Sequence, residues 1–197
     1  MSNEDRNALR MSLREQRIAL SDEEQDAASS RLFKLVGAQD FFRVAQNIAF
    51  YSTIDGEINP NSLRELALSE GKSCALPTLS KDSPDFVTFL PYTKDAALQQ
   101  NDWGTAEPTG GDPVPPTDFD LVFVPLVGFT ASCFRLGMGK GFYDRTFSFK
   151  IFNRRSRPLL VGLAYDFQKI DSVKIESWDV RLDLVVTDKK IYRPENA

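Results

Sequence analysis

Residues 120–145 read DLVFVPLVGFTASCFRLGMGKGFYDR, and they carry the clearest indication of the fold. Its first part, 120–125, is strongly apolar and predicts a strand buried within a sheet. Glycine then recurs at positions 137, 139 and 141, and the residues that follow are expected to open a helix. This order predicts an α/β domain whose glycine loop lies at the carboxyl end of the strand, where open α/β sheets bind their ligands.

Three further helices are predicted outside this stretch. The first is expected near residues 4–18, and the second begins at Ser21, where Ser21 and Glu24 fit a capping box. The third is expected to be capped by Asn59, with Pro60 as its first helical residue.

Short apolar runs between these helices predict strands. They fall at 47–52, 73–76, 86–90, 120–125, 159–165 and 182–187. The segment 98–118 is rich in Gly, Pro, Asp and Thr and is expected to be irregular. The prediction is a single α/β domain over residues 1–197, with a central, largely parallel sheet of about six strands flanked by helices.

Composition excludes several classes of protein. Of 197 residues, 42% are hydrophobic and 26% are charged, which is ordinary for a soluble globular chain. No apolar run approaches the ~20 residues that span a bilayer, and the charged amino terminus is not a signal peptide. Cys74 and Cys133 have no metal-site spacing, so a reduced, cytoplasmic protein is expected. The absence of histidine excludes Ser-His-Asp and Cys-His catalysis and histidine-ligated zinc.

The net charge of −4 is unevenly distributed. Residues 18–134 carry seven bases and seventeen acids, whereas residues 135–157 carry seven bases and only one acid, Asp144. One compact basic stretch in an acidic chain indicates a site for a small polyanion, because a nucleic-acid binder would need a broad basic face. A solvated basic loop remains the alternative.

The glycine loop has the residues that a phosphate site needs. Glycines at alternate positions allow successive backbone N–H groups to face an anion, and a following helix adds positive potential. Arg135, Lys140 and Arg145 supply positive charge, and Asp144 suits a magnesium ligand beside phosphate. The loop is neither a Walker A loop, since glycine follows Lys140, nor GxGxxG, since Phe142 takes the third glycine position. An ordinary tight turn is the alternative.

Further blocks occur in order along nearly the whole chain. They are Arg6-Asn-Ala-Leu-Arg10, Phe50-Tyr-Ser52 with Asp55-Gly-Glu-Ile58, Trp103-Gly-Thr-Ala-Glu-Pro108, the stretch 120–129, the motif Arg135-Leu-Gly-Met-Gly-Lys-Gly-Phe-Tyr-Asp144, Val161-Gly-Leu-Ala164 and Trp178-Asp179. In these blocks the sequence resembles the 5-formyltetrahydrofolate cyclo-ligase (5,10-methenyltetrahydrofolate synthetase) family. The motif at 135–144 is the most specific of them.

The resemblance implies an ATP- and Mg²⁺-dependent ligase of one-carbon metabolism. Its substrates would be 5-formyltetrahydrofolate and ATP, and its products 5,10-methenyltetrahydrofolate, ADP and phosphate. A cytoplasmic monomer that binds neither nucleic acid nor membrane is expected. Two alternatives stay open: a non-catalytic nucleotide- or folate-binding protein on the same fold, and a sugar-phosphate or CoA-handling enzyme on a similar scaffold.

The resemblance also implies roles for individual residues. Catalytic roles fall on Lys140, Arg135 and Arg145. ATP contacts fall on Arg6, Arg10, Arg135, Leu136, Gly137, Met138, Gly139, Lys140, Gly141, Phe142 and Tyr143. Substrate contacts fall on Tyr51, Glu57, Trp103, Met138, Gly139, Lys140, Gly141 and Phe142. The magnesium ligands would be Asp144 and Asp179.

Several of these residues have a purely structural alternative. Tyr51 could be a core residue, Glu57 a solvated turn acid, Trp103 a loop anchor and Asp179 a turn cap.

The arginines of the first predicted helix, at positions 6, 10, 14 and 17, share one face that could be simply solvated. The expectation is that Arg6 and Arg10 reach the ATP site, whereas Arg17 is an exposed charge whose loss changes little.

Overall fold

The computed structural model describes residues 3–79, 85–101, 104–153 and 157–194. The helices in these ranges are α1 (Asn3–Ile18), α2 (Asp22–Gly37), α3 (Asp40–Val44), α4 (Asn61–Ser69) and α5 (Phe142–Thr146). The strands are β1 (Asn47–Ala49), β2 (Ser73–Thr78), β3 (Thr88–Tyr92), β4 (Leu98–Gln100), β5 (Ala106–Pro108), β6 (Leu121–Val124), β7 (Gly128–Phe129), β8 (Arg135–Leu136), β9 (Leu159–Ala164), β10 (Leu184–Thr187) and β11 (Ile191–Tyr192).

A central sheet of seven strands has the order β11-β10-β9-β6-β1-β2-β3. The five inner strands are parallel, and β11 and β3 pair antiparallel at the two edges. This confirms the predicted α/β fold with a largely parallel sheet. The strand beyond the predicted six is β11, whose two residues are too few to produce a hydrophobic pattern.

The inner strands form because their side chains are buried on both faces of the sheet. In β6, Leu121 and Phe123 pack on the side of the sheet covered by α2, α3 and α4. Val122 and Val124 point to the opposite side, where Phe119 and other aromatic residues complete a second core layer. This alternation follows from the two-residue period of a strand.

The helix starts follow local capping signals. The predicted capping box is confirmed: the Glu24 N–H donates to Ser21 Oγ at 3.2 Å, and the Ser21 N–H donates to the Glu24 carboxylate at 2.8 Å. The next predicted start, at Pro60, is one residue early. Helix α4 begins at Asn61, whose N–H donates to Asn59 Oδ1 at 2.9 Å.

The segment expected to be irregular, 98–118, contains the antiparallel pair β4–β5. Its anchor is the buried Glu107 carboxylate, which accepts hydrogen bonds from Thr78 Oγ1 at 2.8 Å and Asn101 Nδ2 at 2.7 Å. The composition of the segment hides this hairpin because its order depends on one buried acid that bonds to the end of β2.

The direction of winding reverses between β1 and β6. The chain runs from β1 outward to β2 and β3, then returns to place β6 on the other side of β1. Open α/β sheets bind ligands in the crevice beyond the carboxyl ends of strands at such a reversal. Helix α1 lies against this crevice, since its Leu13 packs with Val127 and Leu136 beyond β6.

Candidate active site

A cavity of about 580 Å³ opens at this crevice. Residues 135–145, the segment after β6, the amino-terminal half of α1 and the segment 173–179 contribute to its wall. The basic side chains that line it are Arg6, Arg10, Arg135, Lys140, Arg145 and Lys174. Its acidic side chains are Glu57, Asp144 and Asp179. The excess of positive charge suits a polyanionic ligand, and the predicted location of the glycine loop beside the end of β6 is confirmed.

The glycine loop is shaped by two residues with positive φ. Gly139 has φ +91° and Gly141 has φ +70°, and α5 begins directly after Gly141. Residues other than glycine rarely adopt these φ angles, so glycine is favoured at both positions. All nine residues from 135 to 143 line the cavity.

Two arginines of α1 contact two different segments of the cavity wall. Arg10 Nε donates to the Gly137 carbonyl at 2.8 Å, and Arg6 donates to the Lys174 carbonyl and lies 3.9 Å from Glu176. Burial and the neighbouring Arg6 charge lower the pKa of Arg10. Two guanidinium groups that repel each other and line the same cavity favour an anion near them.

Lys140 lies at the exposed tip of the loop and lines the cavity. Within the part of the chain that the structure describes, no hydrogen bond or ion pair engages its ammonium group. Its charge is therefore available to a ligand, unlike the charges of the neighbouring arginines.

Arg135 is already paired within the protein, unlike a charge that is free to bind phosphate. Its guanidinium lies 2.6 Å from Asp144 Oδ1 and donates to the Val180 carbonyl at 2.8 Å, and its side chain is largely buried. The same Asp144 oxygen accepts the Val180 N–H at 3.0 Å. Arg135 thus orients Asp144, and its charge is already partly compensated.

Asp179 stands near Asp144 at the same side of the cavity. Burial, and after it the Asp144 charge, raise the pKa of Asp179. Its Oδ2 accepts the Glu176 N–H at 2.8 Å, so the turn-capping alternative describes part of what it does. The two carboxylates repel each other, and a cation between them would relieve that repulsion.

Arg145 is held at the rim. Its Nε donates to the Asp85 carbonyl at 2.6 Å, and its guanidinium lies 5.6 Å from the centre of the Phe142 ring. It lines the cavity beside Lys140. Unlike Lys140, it is held by a hydrogen bond to another segment of the chain.

Glu57 lies at the floor of the cavity and is buried rather than solvated. Burial raises the pKa of Glu57 to about 7, against the opposing effect of Arg17, whose Nη1 lies 3.5 Å from Glu57 Oε1. The Ile54 N–H donates to the other carboxylate oxygen at 3.3 Å. A carboxylate in this position can accept hydrogen bonds from a ligand that enters the cavity.

One predicted substrate residue, Tyr51, is not found in the cavity wall. Tyr51 is fully buried, and its hydroxyl donates to the Ile58 carbonyl at 2.6 Å, so it supports the chain beside Glu57 from below. Trp103 lies outside the described residues.

The arginine face of α1 divides into two halves. Arg6 and Arg10 line the cavity, and their contact with ATP stays a prediction. Arg17, as expected, does not line the cavity. Its expected exposure is wrong, because Arg17 is fully buried. Arg14 bonds to Asp55 on the same turn that carries Glu57. Helical spacing placed these side chains on one face but could not show which surfaces that face meets.

Sequence reasoning missed Trp178 and Lys174 as lining residues. Trp178 is 63% exposed although it is a large aromatic residue, and it stands beside Asp179 at the cavity edge. The Trp178-Asp179 pair is recognisable in the sequence, but the sequence analysis assigns a role only to Asp179.

Known proteins resemble this chain over most of its length. The model of the 5-formyltetrahydrofolate cyclo-ligase family matches residues 2–188. The chain is 38% identical over 148 residues to a 5-formyltetrahydrofolate cyclo-ligase of Haemophilus influenzae, covering 73% of this chain and 77% of that protein. Its identity to the Escherichia coli K12 protein of the same name is 32% over 182 residues, covering 91% and 98%. The NMR structure of Aquifex aeolicus 5,10-methenyltetrahydrofolate synthetase superposes with a TM-score of 0.82 at 31% identity, covering 98% of this chain and 94% of that one.

Proposed function

The chain belongs to the 5-formyltetrahydrofolate cyclo-ligase family, and we propose that it converts 5-formyltetrahydrofolate and ATP into 5,10-methenyltetrahydrofolate, ADP and phosphate. One observation carries the proposal. A single cavity brings together the ammonium of Lys140, a glycine loop with positive φ at Gly139 and Gly141, and the buried carboxylate of Glu57. These groups suit a polyphosphate and a pterin at the same place.

The reaction needs activation of a poor electrophile. The formyl group on N5 is an amide, and its oxygen is a poor leaving group. Transfer of the γ-phosphoryl group to that oxygen breaks the bond to the β–γ bridging oxygen and releases ADP. N10 then attacks the formyl carbon and loses its proton, and the oxygen departs with phosphate, which leaves the cationic methenyl bridge. No step requires histidine, and the protein acts by alignment and charge stabilisation.

The proposed phosphate site consists of the loop and its cations. The backbone N–H groups near Gly139 and Gly141 and the guanidinium of Arg10 would hold the phosphates. Lys140 would stabilise the charge on the transferred group, because it is not committed to a partner among the described residues. Arg145 would assist at the rim.

The donor set at Asp144 and Asp179 fits Mg²⁺. Mg²⁺ is commonly held by one or two carboxylates together with substrate phosphates, so a complete protein cage is not needed. The hydrogen bonds described above use one oxygen of each carboxylate, and the pKa of Asp179 is raised in part by Asp144. When bound, Mg²⁺ would neutralise phosphate charge; Arg135 would hold Asp144 in place for it.

The folate would lie over Glu57. The pterin ring presents amino and ring N–H donors, and a carboxylate accepts two such bonds side by side. Met138 to Phe142 would border both substrates, so that the formyl oxygen and the γ-phosphate meet at the loop. Tyr51 would act indirectly, by supporting Ile58. The contact expected of Trp103 stays a prediction.

The test follows the near-ultraviolet absorbance of the methenyl product. Protein mixed with 5-formyltetrahydrofolate and MgATP should form product at a rate that depends on both substrates. ATP in which a methylene group replaces the β–γ oxygen should bind without turnover. A non-catalytic binding protein would bind both substrates and form no product with ATP itself, and that result would overturn the proposal.

The expected setting is a cytoplasmic monomer. In the described ranges, none of the helices has both the length and the apolar character that crossing a bilayer demands. Light scattering after size exclusion, with and without ATP, measures the oligomeric state directly.

A further inference from the structure

The cavity contains a carboxylate whose cationic partner lies behind the wall. Arg17, near the end of α1, has no exposed surface and does not line the cavity. Its Nε donates to the Asp55 carbonyl at 3.2 Å, and its Nη1 donates to the Leu126 carbonyl at 3.1 Å. The same Nη1 lies 3.5 Å from Glu57 Oε1. Arg17 thus joins α1, the turn before Glu57 and the segment after β6.

We propose that Arg17 is a positioning residue for substrate binding, which favours the ionised form of the Glu57 carboxylate and orients it toward the cavity. The inference rests on the proposed function, in which Glu57 receives the donor edge of the pterin. A protonated carboxyl group would offer one acceptor oxygen fewer to those donors. Arg17 itself would not touch the substrate.

Among the groups that act on the ionisation of Glu57, Arg17 supplies the positive charge. The others described around it are the carboxylate of Asp55 and the phenol groups of Tyr51, Tyr143 and Tyr165. Asp55 opposes ionisation of Glu57, although Arg14 compensates its charge. Among these groups Arg17 alone is cationic, and burial would otherwise favour the neutral acid.

The geometry fixes the carboxylate as well as its charge. Arg17 approaches Oε1 of Glu57, and the Ile54 N–H donates to Oε2, so each oxygen has one structural partner. The turn is docked tightly on the helix end: Gly56 has φ +67°, and a Cβ there would lie 2.8 Å from the Arg17 carbonyl oxygen. Arg17 Nη2 is buried without a hydrogen-bond partner among the described residues, so backbone anchoring alone does not satisfy this guanidinium.

The experiment compares Arg17→Met with Glu57→Gln and with the double variant. The readouts are the KM for each substrate, the midpoint of the acidic limb of kcat/KM for 5-formyltetrahydrofolate, and Tm. Arg14→Met is the matched control for docking of the helix, because Arg14 bonds to the same turn through Asp55 rather than through Glu57. Arg17→Lys retains the charge on a shorter group.

For Arg17→Met, the KM for the folate should rise about tenfold or more, and the KM for ATP should change less than about twofold. The acidic midpoint should rise by about one pH unit or more, since the cation that favours ionisation is gone. Arg17→Lys should keep the wild-type midpoint, and Arg14→Met, which leaves the Asp55 charge uncompensated, should raise it clearly less than Arg17→Met does. In the Glu57→Gln background, Arg17→Met should cost little more, because both changes remove the same interaction.

A purely structural role gives the opposite pattern. Arg17→Met and Arg14→Met would then give the same acidic midpoint, or the increases in the KM for the folate from Arg17→Met and Glu57→Gln would multiply in the double variant. Either result overturns the proposal. If Arg17→Met does not fold, Arg17→Lys decides: an equal loss in the wild-type and Glu57→Gln backgrounds overturns it, and a loss confined to the wild-type background supports it. Wild-type protein without turnover would overturn the proposed function and this role together.

Discussion

Replacing Gly139 with alanine tests whether the glycine loop is already in its ligand-binding conformation. Gly139 has φ +91°, and a Cβ added there would lie 3.4 Å from Arg10 Cζ. A side chain in such a conformation costs roughly 1–3 kcal/mol of strain. The new methyl group would lie in ordinary van der Waals contact with the guanidinium that donates to the Gly137 carbonyl. The substitution therefore strains the loop and leaves a proposed phosphate ligand less room to move.

Each effect has its own measurement. Strain lowers Tm by about 2–4 °C for each kcal/mol in a chain of this size. A charge-assisted hydrogen bond lost from Arg10 costs roughly 1.5–3 kcal/mol. At 1.36 kcal/mol for each factor of ten, this corresponds to a rise of about 10- to 150-fold in the KM for ATP. Thermal unfolding and the absorbance assay at varied ATP concentration measure the two effects separately.

Gly137→Ala is the matched control in the same loop. A Cβ at Gly137 would meet no atom within 4 Å, and its φ lies outside the region that disfavours side chains. Its loss in Tm and in affinity for ATP should be much smaller than that of Gly139→Ala. Equal losses from the two variants would mean that the loop binds ATP in some other conformation.

Three other substitutions probe the remaining groups. Lys140→Ala should lower kcat by about 10²–10³-fold and shift stability by less than about 0.5 kcal/mol; near-normal kcat would remove Lys140 from the transfer step. Asp144→Asn should raise the Mg²⁺ concentration needed for half-maximal rate, and an unchanged Mg²⁺ titration would contradict its role. Burial raises the pKa of Glu57 from 4.5 to about 7, so native protein retains a proton that the unfolded chain releases. This stabilisation is complete below pH 4.5 and lost as pH rises through about 7; Glu57→Gln should remove that slope from urea-unfolding stability measured across this range, and an unaltered slope would place the titration elsewhere.

The fold was largely predictable because its signals are local. The apolar run of β6, the alternation of glycines after it and the Ser21–Glu24 capping box each lie within a few residues. Such patterns depend on period and propensity, which a single sequence carries in full. The hairpin β4–β5 was missed because its anchor, Glu107, bonds to Thr78, 29 residues away.

The sequence predicts many of the residues that line the site, but not the residues with which they pair. Motif position identified Arg135 and Asp144 as separate functional residues, yet the structure pairs them at 2.6 Å. Helical spacing placed Arg17 beside Arg10, yet one is fully buried and the other lines the cavity. Burial and pairing depend on contacts between distant segments, and no local pattern encodes which segments meet.

The docking of α1 also has a consequence for the order in which the protein assembles. Its hydrogen bonds reach partners far along the chain: 109 residues from Arg17 to Leu126, 127 from Arg10 to Gly137 and 168 from Arg6 to Lys174. Contacts of such long range form slowly, because the intervening chain must first close. During synthesis, α1 leaves the ribosome well before any of these partners exists. The nascent chain can pair β1 with β2 early, but it acquires its full binding site only when the segment 173–179 has been made.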